Sequence, residues 1–190
     1  MRRDEAIKAV CKAVDIKSVL IFANGKISRE GYLKCDSKRN FYMLASMGKA
    51  SSIGLGVALS KPNRTVIVFD GDGNILMNLD NLAMIGYFQP RNLIHIVLDN
   101  ETYATTGWQE TLSEKIELDK VAKSCGYNNV FNVETEKEII TVVEECYRLD
   151  GPHFILIKID KEEIKGTKII PYSPPEIKDR FMESLRGDGE

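Results

Sequence analysis

Two stretches of nearly unbroken apolar residues, Thr65 to Asp70 and Leu93 to Leu98, stand out against an otherwise mixed chain. Runs of this length, rich in β-branched residues and without polar alternation, predict strands buried on both faces of a parallel sheet. Between them Ile75, Leu79, Leu82 and Ile85 recur at helical spacing, and Pro90 closes the segment at Phe88 or Gln89. A helix from Ile75 is therefore expected, completing a parallel strand-helix-strand unit with a right-handed crossover.

The same reading extends in both directions. Asp4 to Val14 predicts an amphipathic helix, Ser18 to Ala23 a strand, and Phe41 to Leu44 a further short strand. Downstream, Glu117 to Ser124 reads as a helix and Asn129 to Val133 as a strand. Thr135 to Leu149 reads as a helix opened by the capping box Thr135-Glu136-Lys137-Glu138, and His153 to Ile159 as the last strand. A tail from Ile169 carries Pro171, Pro174 and Pro175, then a short helix capped by Ser173 with Glu176 three residues on. Its apolar residues Ile177, Phe181 and Leu185 share one face, which is expected to pack on the core. The pattern predicts an α/β fold: a single doubly wound, mostly parallel sheet with helices on both faces, spanning residues 1–190 as one domain with a helical tail from about 169 to 190.

Composition narrows the function. With 190 residues, 43% hydrophobic and 28% charged, the chain can bury one sizeable core. A net charge of −2 with interspersed signs leaves no basic stripe, which argues against nucleic acid as the main partner. Cys11, Cys35, Cys125 and Cys146 lack the close spacing of zinc or iron-sulfur ligands, and no secretory or membrane-spanning run is apparent. Reduced, buried cysteines in a cytoplasmic protein are the expectation. His95 and His153 fall inside or at the start of buried strands, where a structural role is expected.

The chemistry lies at the strand ends. The first apolar run stops at Gly71-Asp72-Gly73 and the second at Asp99-Asn100. A right-handed crossover brings both loops to one edge of the sheet, the edge where open α/β sheets bind ligands. Asp72 and Asn100 thereby become neighbours. Mg²⁺ takes oxygen ligands and needs only one or two protein carboxylates, the remainder coming from phosphate, carbonyl or water. Gly-Asp-Gly is also ordinary turn chemistry, but its spacing from Asp99-Asn100 across a complete unit favours a metal and diphosphate site. No P-loop string occurs, and Leu59 and Leu76 stand where a dinucleotide fingerprint needs Gly or Ala.

On these residues the chain resembles the diphosphate-binding domain of thiamine-diphosphate enzymes, whose signature is Gly-Asp-Gly, a spacer of this length, and Asn-Asn. The resemblance implies thiamine diphosphate and Mg²⁺ as cofactors, with Asp72, Asn100 and the Thr102 carbonyl on the metal. Gly71, Gly73 and Asn74 would lie at the diphosphate. Asp99 departs from the signature by adding a negative charge in place of the first Asn. The stretch Ala45-Ser46-Met47-Gly48, followed by Ile53 to Leu59, resembles the loop and helix beneath the aminopyrimidine, so that Ala45 and Met47 would hold that ring. Such enzymes pair this domain with a pyrimidine-side domain supplying an activating Glu, and no glutamate here matches that role. No catalytic residue is therefore assigned to this chain, and a separate alpha subunit is expected to bring that domain, making a hetero-oligomer.

Asn24-Gly25, Ser28-Arg29-Glu30, the strand Asn92 to Asn100 and the run Thr105 to Thr111 resemble the phosphonopyruvate and sulfopyruvate decarboxylase group. That resemblance implies decarboxylation of a small anionic 2-oxoacid: 3-sulfopyruvate to sulfoacetaldehyde and CO₂, a step of coenzyme M biosynthesis in methanogenic archaea. A phosphonopyruvate decarboxylase subunit and a non-catalytic cofactor-holding subunit are the alternatives. Arg29 and Lys49, near the matched motifs, are the substrate-binding candidates. The loop Thr105 to Thr111, with Gly107 as hinge, is expected to close over the site.

Overall fold

The computed structural model of the chain describes residues 1–162, 167 and 169–186. In chain order the first elements are α1 (Arg3–Ala13), β1 (Val19–Phe22), α2 (Lys26–Cys35), β2 (Asn40–Tyr42) and α3 (Ala50–Ser60). The central unit follows as β3 (Val66–Gly71), α4 (Asp72–Leu76), α5 (Asp80–Phe88) and β4 (Leu93–Asp99). A small hairpin of β5 (Thr102–Tyr103) and β6 (Gln109–Glu110) leads through a 3-10 turn at Leu112–Glu114 to α6 (Leu118–Ser124). The chain continues as β7 (Asn129–Val133), α7 (Glu136–Cys146), β8 (His153–Lys158) and α8 (Pro174–Arg186).

Six of these strands make one parallel sheet in the order β2-β1-β3-β4-β8-β7. All residues of β1, β3 and β4 are buried, as expected for runs covered by helices on both faces. The ring of Phe22 stacks on Phe69 of the neighbouring strand at 4.5 Å between centroids. From β1 the chain crosses leftward to β2, whereas from β3 it crosses rightward to β4. The carboxyl ends of β1 and β3 therefore flank a topological switch point, where crossovers depart on opposite sides and leave a crevice.

Helix α1 is tied to α2 by polar groups as well as apolar ones. Arg3 makes a bidentate pair with Glu30 at 2.9 and 3.0 Å, and Asp4 accepts from Lys34 at 2.9 Å and Arg2 at 3.0 Å. Cys11 and Cys35 are joined in a disulfide between the same helices, a correction to the expectation of four reduced thiols. Helix packing sets that pairing across 24 residues. Cys125 and Cys146 are free, and burial pushes the Cys146 thiol up to about 12.

The strands fall within a residue or two of their expected bounds. The capping box holds: Glu138 N–H donates to Thr135 Oγ1 at 3.3 Å, and Glu138 Oε2 accepts from Thr135 N–H at 3.0 Å. Ile177, Phe181 and Leu185 of α8 are buried, Phe181 against Phe41 at 5.4 Å, as expected for core packing. Residues 187–190 of the expected tail lie outside the described residues. Two elements differ. The segment expected as one helix from Ile75 is two helices, α4 and α5, separated by a turn at 77–79. Apolar spacing continues through the turn, so periodicity does not register the break. Helix α2 was not expected at all.

Candidate functional site

The crevice at the switch point is a cleft lined by the turn from β1 into α2 (Gly25, Lys26), the start of α4 (Asp72, Asn74) and the turn from β4 into β5 (Asn100, Thr102). Asp72 is the first residue of α4 and is 2% exposed. Burial pushes its carboxyl above the usual carboxylate range and the charge of Asp99 adds to that push, opposed by hydrogen bonds from Thr111, the Gly73 N–H and Ser113. Thr111 Oγ1 donates to Asp72 Oδ2 at 2.5 Å. Ser113 Oγ lies 3.2 Å from the same oxygen and 2.9 Å from Asp99 Oδ1. The extra charge of Asp99 is met by Lys158, whose ammonium lies 2.7 Å from Asp99 Oδ2 and 2.9 Å from Glu101.

Asp72 Oδ1 looks the other way, toward Asn100. One end of the Asn100 amide lies 3.2 Å from Asp72 Oδ1 and 2.9 Å from the Thr102 carbonyl. With the NH₂ group at that end, both contacts are hydrogen bonds, and the amide oxygen accepts from Thr102 Oγ1 at 3.0 Å. With the oxygen there, it accepts from the Thr102 N–H at 3.3 Å while also facing Asp72 Oδ1 and the Thr102 carbonyl, a convergence of three oxygens that a cation favours. Adjacent oxygens of an octahedral Mg²⁺ shell with bonds of 2.0–2.1 Å are about 2.9 Å apart, close to both separations. No group of three or more His, Cys, Asp or Glu side chains suited to a metal occurs among the described residues. One carboxylate, one amide and one carbonyl suit a hard cation that keeps positions for phosphate and water.

The remaining candidates distribute unevenly. Asn74 lines the cleft and accepts at 2.6 Å from the backbone N–H of Gly48, which fixes the loop carrying Met47. That loop has left-handed backbone at Ser46 (φ 60°) and Gly48 (φ 87°), and Met47 also borders the cleft. Ala45 lies on the same loop but faces a separate apolar groove beside Ile53 and Ile177. Gly71 lines the cleft where β3 ends, and at Gly73 a Cβ would stand 2.4 Å from the Tyr103 ring, so the missing side chain makes room for that ring. Arg29 is exposed on α2, and the Lys49 ammonium sits on Asn78 at 3.0 Å, so neither lines the cleft. The cations that do are Lys26 and Arg3. Lys26 donates to the Ala104 carbonyl at 3.2 Å and lies 5.4 Å from the centre of the Trp108 ring. The segment Thr105 to Thr111 includes the exposed tip of the β5–β6 hairpin, and its last residue is buried on Asp72.

Ser113, Lys158 and Lys26 are not marked as site residues by the sequence, and Thr111 is marked only as the end of the loop expected to close over the site. The one signal for Ser113 is a hydroxyl shortly after Asn100, with no spacing to single it out.

The parallel sheet and the carboxylate-amide-carbonyl cluster beside its switch point set the frame for comparison with known proteins. Residues 24–157 match the family model of the thiamine pyrophosphate enzyme, C-terminal TPP binding domain. The chain belongs to that family. It is 41% identical to the sulfopyruvate decarboxylase subunit beta of Methanothermobacter thermautotrophicus, over 100% of this chain and 98% of that subunit. It is 36% identical to the phosphonopyruvate decarboxylase of Streptomyces viridochromogenes, over 94% of this chain but only 45% of that protein. Among solved structures, benzoylformate decarboxylase from Polynucleobacter necessarius superposes with a TM-score of 0.70 at 19% identity, covering 86% of this chain and 34% of that one. That likeness shows the fold.

Proposed function

We propose that the chain is the diphosphate-binding beta subunit of a heteromeric thiamine-diphosphate-dependent decarboxylase that converts 3-sulfopyruvate to sulfoacetaldehyde and CO₂ in coenzyme M biosynthesis. The observation that carries this reading is the end-to-end match, at 41% identity, to a protein named as a beta subunit of sulfopyruvate decarboxylase. The partner is an alpha subunit bearing the pyrimidine-side domain, and the complex works in the cytoplasm. No helix among the described residues is long and apolar enough to cross a membrane.

In this reading Asp72, Asn100 and the Thr102 carbonyl hold Mg²⁺, and the metal anchors the cofactor's diphosphate. Thr111 and Ser113 keep the Asp72 carboxylate aimed, and Lys158 neutralises Asp99 so that the metal meets one local charge rather than two. Asn74 and the backbone at Gly71 and Gly73 border the diphosphate, while Met47 and, through its backbone carbonyl alone, Ala45 support the aminopyrimidine. When bound, thiamine diphosphate supplies a nucleophilic carbon and an acceptor for the electron pair released with CO₂. The activating Glu of this reading is supplied by the partner. A dianionic substrate calls for cations, and Lys26 is the first candidate because it lines the cleft. Arg29 and Lys49 are candidates for a surface that the partner completes.

The test is reconstitution. Mixed with the alpha subunit, thiamine diphosphate and Mg²⁺, the wild-type chain is expected to release CO₂ from sulfopyruvate faster than from phosphonopyruvate. The reverse preference would assign it to phosphonopyruvate decarboxylation, and full activity of an Asp72→Ala chain would leave it no part in cofactor anchoring.

A further inference from the structure

The carboxyl edge of β3 carries a second acid that the cation cluster does not use. Asp70 is fully buried. Its Oδ1 accepts from the Gly71 backbone N–H at 2.9 Å and from the side-chain amide of Asn74, and its Oδ2 lies 3.3 Å from His95 Nε2. His95 is fully buried on β4, and its Nδ1 lies 2.9 Å from the hydroxyl of Tyr127, just beyond α6. At the other end Asn74 Oδ1 accepts from Gly48 N–H at 2.6 Å. A chain of side-chain hydrogen bonds thus runs from beneath the sheet edge to the loop that carries Met47.

The Asp70 carboxylate accepts, so His95 Nε2 carries a proton toward it, and the Tyr127 hydroxyl donates to Nδ1 when the ring is neutral. Burial, helped by the charge of Asp70, holds the Tyr127 hydroxyl protonated well above its ordinary range. The Asn74 amide must then turn its NH₂ to Asp70 and its oxygen to Gly48. The opposite orientation would set oxygen against carboxylate and N–H against N–H. That leaves one Asn74 N–H without a partner among the described residues, on a side chain that lines the cleft.

Placing an Asp and a His in the dry centre of a sheet is expensive when apolar residues of similar size pack at no such cost. Departures of this kind concentrate where function requires them. We propose that Asp70, His95 and Tyr127 are positioning residues, a buried relay that fixes the Asn74 amide and, through Gly48, holds the Met47 loop in the shape that receives the cofactor. The inference rests on the thiamine-diphosphate reading above, and its test separates the two.

Amide hydrogen exchange of Gly48 is measured by NMR in the cofactor-free chain, and thiamine diphosphate affinity in the complex with the alpha subunit, for wild type, His95→Leu and His95→Gln. Leu removes both ring nitrogens, whereas Gln keeps an N–H donor within reach of Asp70. His95→Leu is expected to raise Gly48 exchange at least about tenfold beyond any change in the β3 amides, and to weaken cofactor binding by a similar factor. His95→Gln is expected to recover most of both. A role in core filling alone would favour Leu over Gln and would move Gly48 no more than β3, and that result would overturn the proposal. So would loosening of Gly48 with unchanged affinity. If His95→Leu does not fold, Tyr127→Phe removes only the terminal hydroxyl, and unchanged Gly48 exchange there would overturn the relay. If the wild-type complex does not bind thiamine diphosphate, the cofactor reading fails, and Gly48 exchange alone decides whether the relay positions the loop.

Discussion

Replacing Thr111 by Val leaves shape nearly unchanged and removes one proton donor from the buried Asp72 carboxylate. Thr111 is 4% exposed and Asp72 2%, so water cannot substitute for the lost hydroxyl. The bond removed is 2.5 Å long and charge-assisted, a class whose loss costs about 1.5–3 kcal/mol. Ser113 offers partial relief because its hydroxyl already lies 3.2 Å from Asp72 Oδ2, but turning to Asp72 withdraws it from Asp99 at 2.9 Å. The lower half of the range, about 1.5–2 kcal/mol, is therefore expected, roughly a ten- to thirtyfold rise in the unfolding constant. The assay is urea unfolding of the Thr111→Val chain, metal-free and then with saturating Mg²⁺ and thiamine diphosphate alongside the alpha subunit. Because a bound cation takes over stabilisation of the Asp72 charge, the deficit should shrink in the second condition. A metal-free chain within 0.3 kcal/mol or so of wild type, below the range for a buried charged bond, would refute the assigned role of Thr111.

Other outcomes follow from single contacts. Gly86→Ala places a Cβ 1.7 Å from the backbone oxygen of Cys125, which cannot rotate away, so a loss of at least about 1–3 kcal/mol is expected in the denaturant midpoint; wild-type stability would mean that α5 does not pack there. His153 is 1% exposed, and burial lowers its pKa below the ordinary value of 6.5 despite a hydrogen bond to the Leu149 carbonyl. Its contribution to stability is full above that ordinary value and is lost as pH falls through it toward the folded value, because the unfolded chain takes the proton first. Urea midpoints at pH 7.5 and 5.5 should differ less in His153→Gln than in wild type, and equal differences would contradict this. Thiol counting by mass spectrometry under denaturing, non-reducing conditions should find two free cysteines, and four would show that Cys11 and Cys35 are unlinked.

Much of this molecule was legible in its residues because the information is local. The apolar runs of β3 and β4 declare buried parallel strands, and the handedness of one crossover then suffices to bring Asp72 beside Asn100. What escaped depends on contacts between distant segments. Thr111 and Ser113 reach Asp72 by way of a hairpin, and hydroxyls on an irregular segment have no period to betray them. Helix α2 is short and opens at Gly25 with φ 82°, and without it the side that each residue faces cannot be read. Ile27, Ser28 and Glu30 turn inward while Arg29 turns to solvent, which is why Lys26 rather than Arg29 lines the cleft. The Cys11–Cys35 bridge depends likewise on how α1 packs on α2. The break at 77–79 was hidden for a different reason, since apolar spacing persists across it.

The proposed cation-anchored cofactor site is tested most directly by calorimetric titration of thiamine diphosphate into the complex of this chain with the alpha subunit, with and without Mg²⁺, for wild type and Asp72→Ala. Saturable binding that requires Mg²⁺ and falls at least about a hundredfold in Asp72→Ala is the predicted result, the size expected when the only carboxylate on a metal is removed. Equal affinity in wild type and variant, or binding indifferent to Mg²⁺, would contradict it.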